Sequence, residues 1–120
     1  MKAQLQNVSV VEGASSTTNI PNDCCDAIFL RHVYHHLGDP PLMNASLRAS
    51  LKPGGRVAIV DFPPDNGVSA PPGRRGTDVS HGVTPQIVIE ELRAAGFVSV
   101  EQLPWSSSGG YFLVVARRPD

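Results

Sequence analysis

Two short apolar runs, Asp26-Ala-Ile-Phe-Leu30 and Arg56-Val-Ala-Ile-Val60, constrain the fold of this chain more than any other feature. Neither alternates, which suits strands buried on both faces as in parallel sheets. The stretch between them reads as a helix. Asp39 is a good N-cap, and Pro40 and Pro41 suit a first turn, where a missing N–H costs little. Leu42, Ala45, Leu47, Ala49 and Leu51 give that helix an apolar side. Pro53-Gly54-Gly55 is expected to end it as a structural turn rather than a ligand loop.

The flanking segments extend the pattern. Val8-Ser-Val-Val11 is a β-branched run that predicts a strand, followed by Gly13 and a polar loop to Asn22. After Asp61, residues 62–82 are rich in proline and glycine and predict a long irregular loop, a type that is usually functional or mobile. Thr84 and Pro85 open a second helix carrying Ile87, Val88, Leu92 and Ala95 on one side, and Gly96 stops it. Val98–Leu103 and Tyr111–Arg117 predict an antiparallel strand pair joined through Ser106-Ser-Ser-Gly-Gly110. The expected order is strand, strand, helix, strand, helix, strand, strand. That order is an α/β domain with a mostly parallel sheet and a C-terminal antiparallel hairpin.

Composition narrows the function classes. A chain of 120 residues makes one domain. Its net charge of −1 is spread along the sequence, so no basic stripe is present to neutralise nucleic-acid phosphates. Tyr111–Ala116, among the longest apolar runs, is far too short to span a bilayer. The N-terminal Met-Lys-Ala-Gln-Leu-Gln lacks an apolar core of the secretory kind, which predicts a cytoplasmic protein. Cys24 and Cys25 are neighbours, a spacing that does not suit disulfide geometry, and they are expected to be free thiols packing at a strand entry.

Three motifs in order carry a family resemblance. Asp26-Ala-Ile-Phe-Leu-Arg-His-Val-Tyr-His-His-Leu-Gly-Asp-Pro40, Leu51-Lys-Pro-Gly-Gly-Arg-Val-Ala-Ile-Val-Asp61 and Ala94-Ala-Gly-Phe97 resemble the later motifs of class I, Rossmann-like, S-adenosylmethionine-dependent methyltransferases, with a type 11-like methyltransferase domain. Asn7-Val-Ser-Val-Val-Glu-Gly13 is similar to the third strand of that family. The resemblance spans residues 7–117 and implies a sheet ordered 3-2-1-4-5-7-6. It makes residues 1–120 a partial domain holding the third to seventh strands, with 62–82 as a loop within it. The family's glycine-rich turn and the acidic residue after its second strand have no counterpart here, so the resemblance implies a truncated form with weak or no activity alone. An alternative reading is a non-catalytic interaction or oligomerisation module using an open sheet edge.

The resemblance also implies site residues. The cofactor would be S-adenosylmethionine, met by Gly13, Ala14 and Ser15 beside the adenine and by Leu30, Arg31 and His32 beside the methionine portion. Ala14 stands where the family often has an adenine-binding aspartate, which leaves only backbone groups to serve. His35 and His36 are candidate catalytic residues, because imidazole titrates near working pH; the plainer reading has His36 packing behind the strand end. Asp61 and His81 are candidate substrate contacts, with a loop-capping carboxylate and an exposed loop histidine as their plainer readings. Tyr34 and Trp105 are expected to pack. His32, His35 and His36 invite a metal reading, but no cysteine or carboxylate completes a recognisable zinc pattern around them, and no metal is expected. Partners are expected to be a small-molecule substrate and a second copy of the chain, with neither nucleic acid nor membrane.

Overall fold

The computed structural model describes residues 6–76, 80–105 and 110–120. The expectations for the first five residues and for Ser106–Gly109 lie outside them. Among the described residues, four strands and two helices form the domain: β1 (Cys25–Arg31), α1 (Pro40–Ser50), β2 (Leu51–Asp61), α2 (Pro85–Ala94), β3 (Val98–Leu103) and β4 (Phe112–Arg117), with a 3-10 turn at Tyr34–His36. The sheet order is β1-β2-β4-β3. β1 and β2 are parallel, whereas β4 runs antiparallel to both β2 and β3. The α/β class and the terminal hairpin are therefore as the sequence indicates.

Both helices begin on the expected caps. Asp39 accepts from Leu42 N at 3.2 Å and Thr84 from Ile87 N at 3.4 Å, each with proline in the first turn. The core lies between the helices and one sheet face, where Val57 and Ile59 of β2 and Phe112, Val114 and Ala116 of β4 meet Leu47, Val88 and Leu92.

Several expectations are corrected. Residues 8–11 form no strand, and Val10 is 96% exposed. A strand exists through its ladder, and no described segment lies alongside these residues to supply one. β1 is not buried on both faces: it is an edge strand, covered on the helix side alone, with Phe29 58% exposed. Pro53-Gly54-Gly55 does not terminate the helix, which ends at Ser50. The three residues sit within β2, where the pairing shifts from Cys25↔Leu51 to Ala27↔Arg56. Gly55 is needed there, since a Cβ would come within 2.9 Å of Lys52 O and 3.1 Å of Asp26 O. Cys24 and Cys25 are not thiols but are joined to each other in a disulfide. Sequence adjacency holds the two Cα atoms 3.8 Å apart, close enough for this eight-membered ring to close. The pair therefore gives no argument for a reducing compartment.

Candidate active site

The parallel pairing of β1 and β2 brings their carboxyl ends to one edge, where Arg31 is in register with Val60. β4 is antiparallel, so its beginning reaches the same edge, with Phe112 opposite Asp61. The chain leaving β1 turns sharply at His32, whose φ of 56° lies in the left-handed region. His32 N donates to Val60 O at 2.8 Å, and the 3-10 turn then sets His35 over the end of β2.

Asp61 organises the groups around it. It is fully buried, and its carboxylate accepts from His35 N at 3.0 Å, Phe62 N at 2.8 Å and His35 Nδ1 at 2.9 Å. The acceptor-only carboxylate fixes His35 as the Nδ1–H tautomer, leaving the Nε2 lone pair to point away. That Nε2 lies 3.1 Å from His81 Nε2. Burial lowers the His35 pKa from its ordinary value, while the Asp61 carboxylate opposes the shift. The neutral imidazole is thus held in a defined orientation.

Aromatic rings enclose this chain of contacts. The His35 ring lies 4.1 Å from His36, 4.9 Å from Phe62 and 4.9 Å from His81, centroid to centroid. His32 stands 4.5 Å from Tyr111 and 5.6 Å from Phe62. Phe62 and Tyr111 continue into an open cleft of about 440 Å³ lined also by Pro63, Pro64, Asp65 and Gly110.

The loop after β2 is fastened over the site. Val83 N donates to Phe62 O, Ser69 bonds the Thr84 hydroxyl at 3.0 Å, and Arg75 N–H groups grip Glu91 of α2 at 3.2 and 2.9 Å. Glu91 also accepts from the Tyr34 hydroxyl at 2.9 Å, and that hydroxyl accepts from Asn44 at 2.8 Å. Burial, reinforced by Glu91, drives the Tyr34 pKa far upward, so the hydroxyl remains a donor. Gly82 lets the loop return beneath Phe62: its φ is 125°, and a Cβ would lie 2.4 Å from Phe62 O.

The structure therefore brings His35, His36, Asp61 and His81 together, with His32 beside them. His36 does not pack behind the strand end; it is exposed, its ring lying against His35. Asp61 caps the loop as well as holding His35. Gly13, Ala14 and Ser15 stand apart. With no strand before them they are exposed, and the turn they begin is tied by Thr17 and Thr18 to Ser46 of α1. Among the described residues no hydrogen bond links them to Leu30–His32. Phe62, Tyr111 and the Arg75–Glu91 clasp were missed from sequence. Their only signal is position: Phe62 follows the strand-ending Asp61, and Tyr111 precedes a strand whose antiparallel direction is invisible until it is paired.

This sheet edge belongs to the Rossmann-like fold of class I, S-adenosylmethionine-dependent methyltransferases. A methyltransferase from Aquifex aeolicus superposes with a TM-score of 0.72 at 24% identity, over 95% of this chain and 56% of its own. A putative methyltransferase of Haloferax volcanii, solved with its activator protein, gives 0.73 at 16% identity, over 98% and 65%. A possible histamine N-methyltransferase of Thermotoga maritima gives 0.67 at 16%, over 92% and 64%. The chain thus spans less than two-thirds of the length of each. Residues 1–59, just under half of the chain, match a family model described as a methyltransferase domain, and the chain shares the fold of class I methyltransferases. No curated protein sequence matches it.

S-adenosylmethionine is the cofactor of this family. The residues after β1 fit one wall of its site. His32 turns the chain in the left-handed region at the carboxyl end of a parallel strand, where ligands of open α/β sheets bind. Among the described residues its buried Nε2 has no hydrogen-bond partner, an orphaned polar atom at that position.

Proposed function

We propose that this chain forms the acceptor side of an S-adenosylmethionine-dependent methyltransferase acting on small molecules. The observation that carries the proposal is the Asp61–His35–His81 chain beside the Phe62–Tyr111 cleft, at the carboxyl edge of a methyltransferase fold. The cofactor, when bound, supplies an electrophilic methyl group on its sulfonium. Leu30, Arg31 and His32 would contact its methionine portion, and Gly13, Ala14 and Ser15, which stand apart from them, would meet the adenine through their backbone. The protein's main task is to align the acceptor with that methyl, which is a proximity effect.

The acceptor rests on Phe62 and Tyr111 with its nucleophilic atom toward His81. Its proton passes to the imidazoles: His81 donates through Nε2–H to His35 Nε2, and the buried Asp61 carboxylate stabilises the charge gained. His36 borders the same imidazoles and closes the exposed side. The open edge of β1, with Phe29 exposed beside it, supports association of two copies.

Calorimetry with S-adenosylmethionine on the folded chain, followed by methyl transfer to a panel of small amines, phenols and thiols, tests the reading. His35→Gln should lower turnover by about 10²–10⁴-fold while leaving cofactor affinity within a few-fold. A folded chain that binds no cofactor would sink it.

A further inference from the structure

The geometry points to a divalent transition-metal site built from His35, His36 and His81, with Asp61 orienting its buried ligand. The three side chains each offer a ligand nitrogen, and these atoms all lie within 4.8 Å of one another. Two of them, His35 Nε2 and His81 Nε2, are 3.1 Å apart. A tetrahedral zinc with Zn–N bonds of about 2.0–2.1 Å places its nitrogens about 3.3–3.4 Å apart. The pair is thus within a few tenths of an ångström of chelating separation. His36 is exposed, so its ring can turn the remaining distance toward an ion.

The support around the buried ligand matches that of a metal-binding histidine. Such residues commonly give their other ring N–H to a carboxylate, which fixes the tautomer and raises ligand basicity. His35 Nδ1 makes that bond to Asp61 at 2.9 Å, and Asp61 is itself held by the backbone N–H groups of His35 and Phe62. Three imidazoles leave one position of a tetrahedron free, the composition of a catalytic rather than a structural zinc site. The ligand set also selects the ion: imidazole suits zinc, cobalt, nickel or copper, whereas magnesium and calcium require oxygen donors.

The site does not depend on methyl transfer, and it is read out without it. With an ion bound, the Nε2 atoms of His35 and His81 serve as ligands, and an acceptor at the fourth position would lose its proton to solvent under the pull of the ion.

The test uses the untagged 120-residue chain, stripped with chelator and titrated with zinc sulfate by calorimetry. Cobalt(II) absorption reports the geometry. One equivalent of zinc should bind, and cobalt should give the intense visible bands of a four-coordinate site. His81→Ala and His36→Ala replace exposed side chains, so both variants should retain the wild-type circular dichroism. Each should weaken zinc by at least roughly a hundredfold, and Asp61→Asn by about 10–100-fold. A folded wild type that takes up no zinc would overturn the proposal, and so would uptake that both histidine variants leave unchanged. In that case the 3.1 Å contact is only an imidazole–imidazole hydrogen bond.

Discussion

Asp61 shows how much one residue can organise. It closes a strand, caps the loop after it and fixes the tautomer of the histidine above it. Its removal strands several donors at once, two of them backbone N–H groups, in a place water does not reach. A buried donor left unsatisfied costs about 1–3 kcal/mol. Asp61→Ala is therefore expected to destabilise the domain by about 2–4 kcal/mol in urea unfolding, taking the lost donors as only partly re-satisfied. Asp61→Asn keeps one acceptor oxygen and should cost less than half of that. Equal losses for the two variants would mean that the full acceptor capacity and charge of the carboxylate, and not the shape that asparagine preserves, are what the site needs. The sequence marked Asp61 as a strand-end residue at the pocket edge. The partner it holds was not legible, because His35 lies 26 positions away.

At the scale of elements, the loop after β2 is the part of the site that the sequence described least. Proline and glycine content predicts irregularity, and the loop has that, but it is also pinned by the Arg75–Glu91 pair. Arg75 is only 3% exposed. Its guanidinium also donates to Ala70 O at 2.8 Å, so one side chain ties the loop both to itself and to α2. Removing one member of a buried pair leaves the other charge uncompensated, at a cost of about 3–5 kcal/mol for full burial. Glu91 is 22% exposed and keeps its Tyr34 bond, so Arg75→Met should cost about 2–3 kcal/mol. Amide exchange at residues 68–76 should accelerate by more than exchange in β2 and β4. Uniform acceleration throughout the sheet would show that the clasp stabilises the whole domain rather than the loop.

For the molecule as a whole, the sheet presents one covered face and, at β1, an open apolar edge. β1 carries Phe29 into solvent with no described strand beyond it. Exposed, apolar strand edges invite pairing with another chain, and a lysine on such an edge discourages it. Phe29→Lys is expected to shift sedimentation toward the monomer at high concentration. Because the side chain is exposed, unfolding free energy should change by no more than about 0.5 kcal/mol. Unchanged sedimentation in the variant would exclude this edge as the contact. Among the described residues no helix is long and apolar enough to cross a membrane.

The sequence by itself determined what is local. Apolar runs bounded by Asp, Gly and Pro, two capped helices and a terminal hairpin follow from short-range pattern, and they delivered β1, α1, β2, α2, β3 and β4 within a few residues. The motif order likewise carried the methyltransferase fold. Tertiary structure decided whatever required a neighbour. Residues 8–11 have strand composition but no ladder, β1 has the composition of an interior strand but stands at an edge, and Cys24 meets Cys25. The site belongs to this second kind. His35, Asp61 and His81 were each visible as candidates, but their assembly depends on parallel pairing of β1 with β2 and on a loop drawn back by Arg75. Those contacts join residues far apart in the chain, so composition, periodicity and spacing carry no record of them.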